Sequence, residues 1–128
     1  LDFMVKAKTA TSTLPPVYAK GAAITVLSAS LSPVRAYVNL RIERNEGVSA
    51  QQFELLLADW RDAVLVDAQG NQLTGLSEFL ISAQEEGKSA DYSFTFLPTD
   101  AREAYIAPTV IDVNDNWFAD MSQAIKVR

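Results

Sequence analysis

The run Asp112-Val113-Asn114-Asp115-Asn116, with Asp120 close behind, offers the densest set of hard oxygen ligands in the chain. Calcium takes roughly six to eight oxygens, and a loop that alternates carboxylates with amides is a sensible place for it. The same residue types also build ordinary turns in which Asp and Asn side chains bond their own backbone. Calcium at Asp112, Asn114, Asp115, Asn116 and Asp120 is therefore an expectation with a purely structural competitor. A second grouping is Arg35, Tyr37, Asn39 and Arg41, spaced two residues apart. Arginine and tyrosine are both enriched at binding interfaces, so these four form the candidate binding face. Acid pairs such as Glu54 with Asp59, or Glu85 with Glu86, are the residue types of a glycosidase, whose two carboxyls stand some ~5–10 Å apart. Sixteen acidic residues supply such pairs by chance, and solvated surface charge is their ordinary role.

Cysteine and histidine are both absent from the 128 residues. That removes Ser-His-Asp and Cys-His nucleophiles and any thiolate or imidazole metal site. Serine and threonine are left without a histidine base, and no Ser-x-x-Lys pattern replaces it. The chain is thus expected to be no enzyme but a binding or sensing module, with a carboxylate-based hydrolase as the remaining catalytic reading. A formal net charge of -5 disfavours nucleic acid, which draws a basic stripe, and an anionic membrane surface. No stretch reaches the roughly 20 apolar residues that span a bilayer. Trp60, Trp117, Tyr18, Tyr37 and Tyr105 could stack a sugar or a peptide. The tryptophans fit core packing or an interdomain contact better, and Tyr37 is the ring set among polar neighbours.

These side chains need elements to hold them, and the strongest pattern in the chain supplies one. From Val34 to Glu43 the even positions are Val34, Ala36, Val38, Leu40 and Ile42, and the odd ones Arg35, Tyr37, Asn39, Arg41 and Glu43. Strict period-two alternation predicts a strand with one face on a core and the other in water. Ser89 to Phe96 repeats the pattern with Ala90, Tyr92, Phe94 and Phe96 inward. One-sided strands belong to antiparallel sheets. Ile24 to Leu31 reads as a strand stopped at Ser32-Pro33, and Ala63 to Val66 as a short one before a reversal over Asp67-Ala68-Gln69-Gly70-Asn71. Phe79 to Ala83, the turn Glu85-Glu86-Gly87-Lys88 and Ser89 to Phe96 form a second hairpin. Tyr105 to Val113 and Ala124 to Val127 are expected closing strands, and Phe3 to Lys8 an edge strand before Leu14-Pro15-Pro16.

One helix is expected. Ser49 with Gln52 fits a capping box, and Phe53, Leu56, Leu57 and Trp60 fall on one helical face. A strand face of Phe53, Leu55 and Leu57 competes with it. Hydrophobic residues at 48% and charged residues at 21% are ordinary for a soluble globular domain, and the length fits a single one. The expected fold is mainly β, an immunoglobulin-like antiparallel β-sandwich of roughly seven to nine strands with one short helix. The chain opens at Leu1 with no initiator methionine, which fits a piece of a longer exported or membrane-anchored protein, or a processed mature chain.

Two resemblances add to this reading. Asp112-Val113-Asn114-Asp115-Asn116 is identical to the signature that closes cadherin repeats, where it helps bind calcium between domains. The rest of that pattern is missing, Asp100-Ala101-Arg102-Glu103 being only a loose echo of its Asp-Arg-Glu triplet. What this likeness implies is a calcium-stabilised adhesion module. Over most of its length the chain resembles an uncharacterised family of extracytoplasmic β-sandwich domains in Gram-positive anti-sigma-factor-like proteins. The matching pieces are Phe3-Met4-Val5-Lys6-Ala7, Gly21 leading into Ile24-Thr25-Val26, and Leu31-Ser32-Pro33 before the alternating strand. Val64-Leu65-Val66-Asp67-Ala68-Gln69-Gly70-Asn71-Gln72-Leu73 and the closing Ile125-Lys126-Val127 complete them. This resemblance implies a membrane-anchored regulator whose outer domain binds a protein or cell-envelope ligand, with no catalytic residues to carry over.

Overall fold

A computed structural model of the chain describes residues 10–11, 17–19 and 21–128. The expected edge strand over Phe3 to Lys8 and the Leu14-Pro15-Pro16 connection lie outside the described residues. In chain order the elements are β1 (Ala10–Thr11), β2 (Val17–Ala19), β3 (Ala22–Leu31), β4 (Ala36–Arg44), α1 (Ala50–Arg61), β5 (Val64–Val66) and β6 (Gln72–Thr74). They continue with β7 (Leu76–Glu85), β8 (Ser89–Phe96), β9 (Tyr105–Ala107), β10 (Thr109–Ile111), β11 (Trp117–Ala119), a 3-10 turn at Met121–Gln123 and β12 (Ile125–Lys126). Among the described residues strand outweighs helix, 50% to 14%, so the class is mainly β. The surplus over the expected strand number comes from segments of two or three residues.

All strand pairs are antiparallel. The large sheet runs β1-β3-β4-β8-β7, with β2 also paired to β3. A smaller sheet runs β12-β9-β5-β6, and β10 with β11 forms a separate hairpin. Inward residues of the large sheet, among them Ile24, Val38, Leu40, Ile42, Tyr92 and Phe94, meet Leu65, Ile106 and Ile125 of the smaller sheet in one core, and the arrangement is sandwich-like. The helix completes the second layer by burying Phe53, Leu56, Leu57 and Trp60 against the same core.

The helical reading of the Ser49–Trp60 segment prevails over the strand. Ser49 Oγ accepts from the Gln52 N–H at 3.1 Å and the Gln52 side chain accepts from the Ser49 N–H at 3.3 Å, closing a reciprocal capping box. The four buried residues then recur at the three- to four-residue spacing of one helix face. Gly70 has φ +89 and Gly87 φ +75, the left-handed geometry that glycine supplies to tight hairpin turns.

Two expected elements are corrected. The alternating strand begins at Ala36 instead of Val34, because the Ser32 hydroxyl accepts from the N–H groups of Val34 (3.2 Å) and Arg35 (2.9 Å) and holds both in a turn. Val34 is accordingly 86% exposed and is no part of the core. The expected strand from Tyr105 to Val113 is two strands in two sheets. β9 pairs with β5 and β12, whereas β10 pairs with β11. Pro108 separates them, since it has no N–H to give a continuous ladder. Among the described residues no helix is long and apolar enough to cross a membrane.

Candidate functional site

Alternation along β4 sends Ala36, Val38, Leu40 and Ile42 into the core and turns Tyr37, Asn39, Arg41 and Glu43 to the outer face of the large sheet. Antiparallel register then sets a row of side chains across the sheet at each outward position. Ser30, Tyr37, Thr95 and Glu78 form one row, Ser28, Asn39, Ser93 and Leu80 the next, and Thr25, Arg41, Asp91 and Ala83 a third. Arg35 approaches the first row from the turn fixed by Ser32. Its guanidinium carbon lies 5.0 Å from the centroid of the Tyr37 ring, a cation–π stack. Asn39 Nδ2 donates to Ser28 Oγ at 2.7 Å. With Ser93 and Thr95, these side chains line a shallow depression of about 390 Å³.

Arg41 belongs to a neighbouring depression of about 340 Å³, which it lines with Glu43, Glu85, Ser89 and Asp91. Its Nε and Nη2 donate to Asp91 Oδ1 (2.9 Å) and Oδ2 (3.0 Å), a two-pronged pair directly across β4 and β8. The hydrogen bonds from Arg41 to Asp91, and then the charge of that carboxylate, raise the guanidinium pKa above its ordinary value. The four expected face residues therefore share one sheet surface but divide in use. Arg35, Tyr37 and Asn39 surround an open depression, while the charge of Arg41 is already committed.

Sequence reasoning missed the other half of the depression. Ser28 comes from β3, and Ser93 and Thr95 come from β8. Ser93 and Thr95 are visible as the polar positions of an alternating strand, but nothing in a single sequence says which strand lies beside β4. The grouping offers a cationic plane, an aromatic face, an amide and three hydroxyls. It can stack and hydrogen-bond a ligand, and none of its members is a carboxylate or imidazole that could act as a general base.

The expected calcium residues are divided between the two ends of the β10–β11 hairpin. At its tip, Asp112 Oδ1 accepts from the N–H groups of Asn114 (2.8 Å) and Asn116 (3.0 Å), and Asp115 takes a left-handed φ of 61. This is an Asx turn closing a hairpin. Asp120 follows the other end, where Thr109 pairs with Ala119. Its N–H donates to the Pro108 carbonyl at 2.9 Å, and its carboxylate accepts from the Ser122 N–H (3.1 Å) and Gln123 Nε2 (2.7 Å). Among the described residues no group of three or more acidic side chains could hold a metal ion.

The remaining candidates scatter. Glu54 and Asp59 lie five positions apart on α1 and so point to different sides of the helix. Glu85 pairs with Lys88 at 3.4 Å, beside the exposed Glu86. Trp60 is wholly buried, and among the described residues its indole N–H has no hydrogen-bond partner. Trp117 is 59% exposed on β11, with Ile111 and Phe118 also exposed nearby on the same hairpin. No family model, curated protein or solved structure matches the chain.

Proposed function

We propose that the chain is a non-enzymatic binding or sensing module that takes a protein or cell-envelope ligand on the outer face of its large sheet. We place it outside the cytoplasm, in a surface protein or membrane-anchored regulator. The observation that carries the binding reading is the stack of Arg35 on Tyr37 at 5.0 Å, beside Asn39 and the Ser28, Ser93 and Thr95 hydroxyls. Rigid aromatic surface next to arginine and adaptable polar groups is the composition of recognition surfaces. The lack of histidine and cysteine supports binding over catalysis, since the groups at this depression have no ready proton acceptor. The mechanism is passive: paired strands hold the side chains in register, and a ligand meets a surface already shaped. The extracytoplasmic placement is supported by the resemblance of the strand-and-turn order to extracytoplasmic sandwich domains.

Titration of the labelled protein with soluble peptidoglycan fragments and with purified cell-surface proteins, followed by amide NMR shifts, tests this reading. Shifts are expected at Tyr37, Asn39, Ser93 and Thr95, and Tyr37→Ala or Arg35→Ala should weaken binding by about tenfold or more. Unchanged affinity in both variants, or shifts confined to other surfaces, would overturn it. Recovery of the epitope-tagged full gene product from the cytosol alone would overturn the placement.

A further inference from the structure

Strand β7 closes the large sheet on the side opposite β1, and among the described residues no strand pairs with its outward edge. It is ten residues long, and all of them except Phe79 are exposed. Native sheets usually protect such an edge with a short strand, a proline, lysines, a covering helix or β-bulges that twist it away, because its unpaired N–H and C=O groups template another strand. β7 has neither proline nor lysine. Its two register shifts fall between Leu76 and Glu78 and between Ile81 and Ala83. Between them Glu78, Phe79, Leu80 and Ile81 run in regular register against Thr95, Phe94, Ser93 and Tyr92. Phe79 and Ile81 share the inner face there, and Glu78 and Leu80 the outer one. Leu80 is 54% exposed and Ile81 42%, so apolar side chains flank a free backbone edge on both faces.

We propose that the β7 edge is a strand-addition site for an extended, apolar and basic segment of a partner polypeptide, which bonds to the main chain of Glu78–Ile81. A free ladder of backbone donors and acceptors is complemented by another extended backbone, which sets the class of the occupant. Charge narrows it further. The strand carries Glu78 and Glu85 and no cation, Glu86 follows directly, and the chain as a whole has a net charge of -5. Lysine or arginine opposite Glu78 gains a cross-strand pair, whereas a second copy of this chain brings the same acids and the same net charge. Apolar residues of the guest extend the rows begun by Leu80 outside and by Phe79 and Ile81 inside. This inference is independent of the Arg35–Tyr37 depression, and the two are separable by mutation.

The test is hydrogen exchange of the full chain, resolved residue by residue, with a synthetic peptide of alternating valine and lysine. The peptide should slow exchange at amides within Glu78–Ile81 by about tenfold or more. The slowing should vanish with a valine–glutamate peptide, with the basic peptide N-methylated at alternate residues, and in the Leu80→Lys/Ile81→Lys variant. It should persist in Tyr37→Ala. No slowing by the basic peptide, or equal slowing by the acidic one, overturns the proposal. So does a dimer of the protein alone that protects the same amides, since the occupant would then be a second copy.

Discussion

Tyr92 shows how one polar atom is managed inside this core. Its ring is buried and meets Phe79 edge-on, with centroids 4.8 Å apart at 88°. Its oxygen accepts from Arg61 Nε at 3.2 Å. Burial disfavours the phenolate and pushes the pKa above the ordinary tyrosine value, although the Arg61 hydrogen bond works the other way. A pKa raised in the folded state gives stability that is complete below the unfolded value of about 10 and lost as pH rises beyond it. Urea midpoints should therefore fall on the alkaline side, and less steeply in Tyr92→Phe; parallel declines would refute the assignment. Asp67 is the acid counterpart. Its carboxylate accepts from the N–H groups of Asn71 and Gln69, both at 2.9 Å, and the Asn71 bond is the main cause of its lowered pKa. Its contribution is present above the ordinary carboxylate value and lost as pH falls through the lowered one. Asp67→Asn should keep the turn and flatten the acid limb of the same curve.

Elements differ in how openly they announce themselves, and the reason is the number of faces each one buries. β4 and β8 are covered on one side only, so burial writes an alternating pattern into them that composition alone could reveal. The helix is marked at its start by the Ser49–Gln52 box. Because that box is reciprocal, Ser49→Ala should cost about 1 kcal/mol, and adding Gln52→Ala should cost less than the sum of the two changes. Thermal unfolding of the three variants measures this. β7 was legible only in part: Phe79 to Ala83 reads as one arm of a hairpin, but the full strand buries almost nothing on either face and leaves no period to mark its ends. The break at Pro108 did carry a signal, a proline inside a strand pattern, but nothing local says that the two halves join different sheets. In the binding face, the β4 residues were legible from alternation, but the register that brings Ser93 and Thr95 beside them is a long-range property of pairing. At the hairpin tip the Asx turn accounts for Asp112, so Asp112→Ala should loosen the Asn114 and Asn116 amides in hydrogen exchange. Millimolar calcium should leave the melting temperature where a chelator leaves it, because a ligand that binds only the folded state would raise it.

At the scale of the whole molecule, the large sheet separates two tasks by the thickness of one strand. Its inner face joins α1 and the smaller sheet in the core, while its outer face meets no other described layer. Tyr37 on β4 and Phe94 on β8 lie within one strand spacing of each other, yet point to opposite sides. Phe94 is completely buried and packs against Phe79 with ring centroids 5.3 Å apart, so Phe94→Ala removes apolar contacts that the rigid surroundings cannot replace. That change should cost about 3–5 kcal/mol, a large share of the roughly 5–15 kcal/mol by which domains of this size are stable. Tyr37→Ala removes a ring stacked mainly on Arg35, and its cost should stay within about 1 kcal/mol. The two variants should therefore dissociate. In urea denaturation Phe94→Ala shifts the midpoint strongly, while ligand titration of its folded fraction stays near the unmutated affinity. Tyr37→Ala does the reverse. A Tyr37→Ala variant as unstable as Phe94→Ala would show that the ring braces the sheet, and the outer face would then lose its claim to be a surface kept free for a ligand.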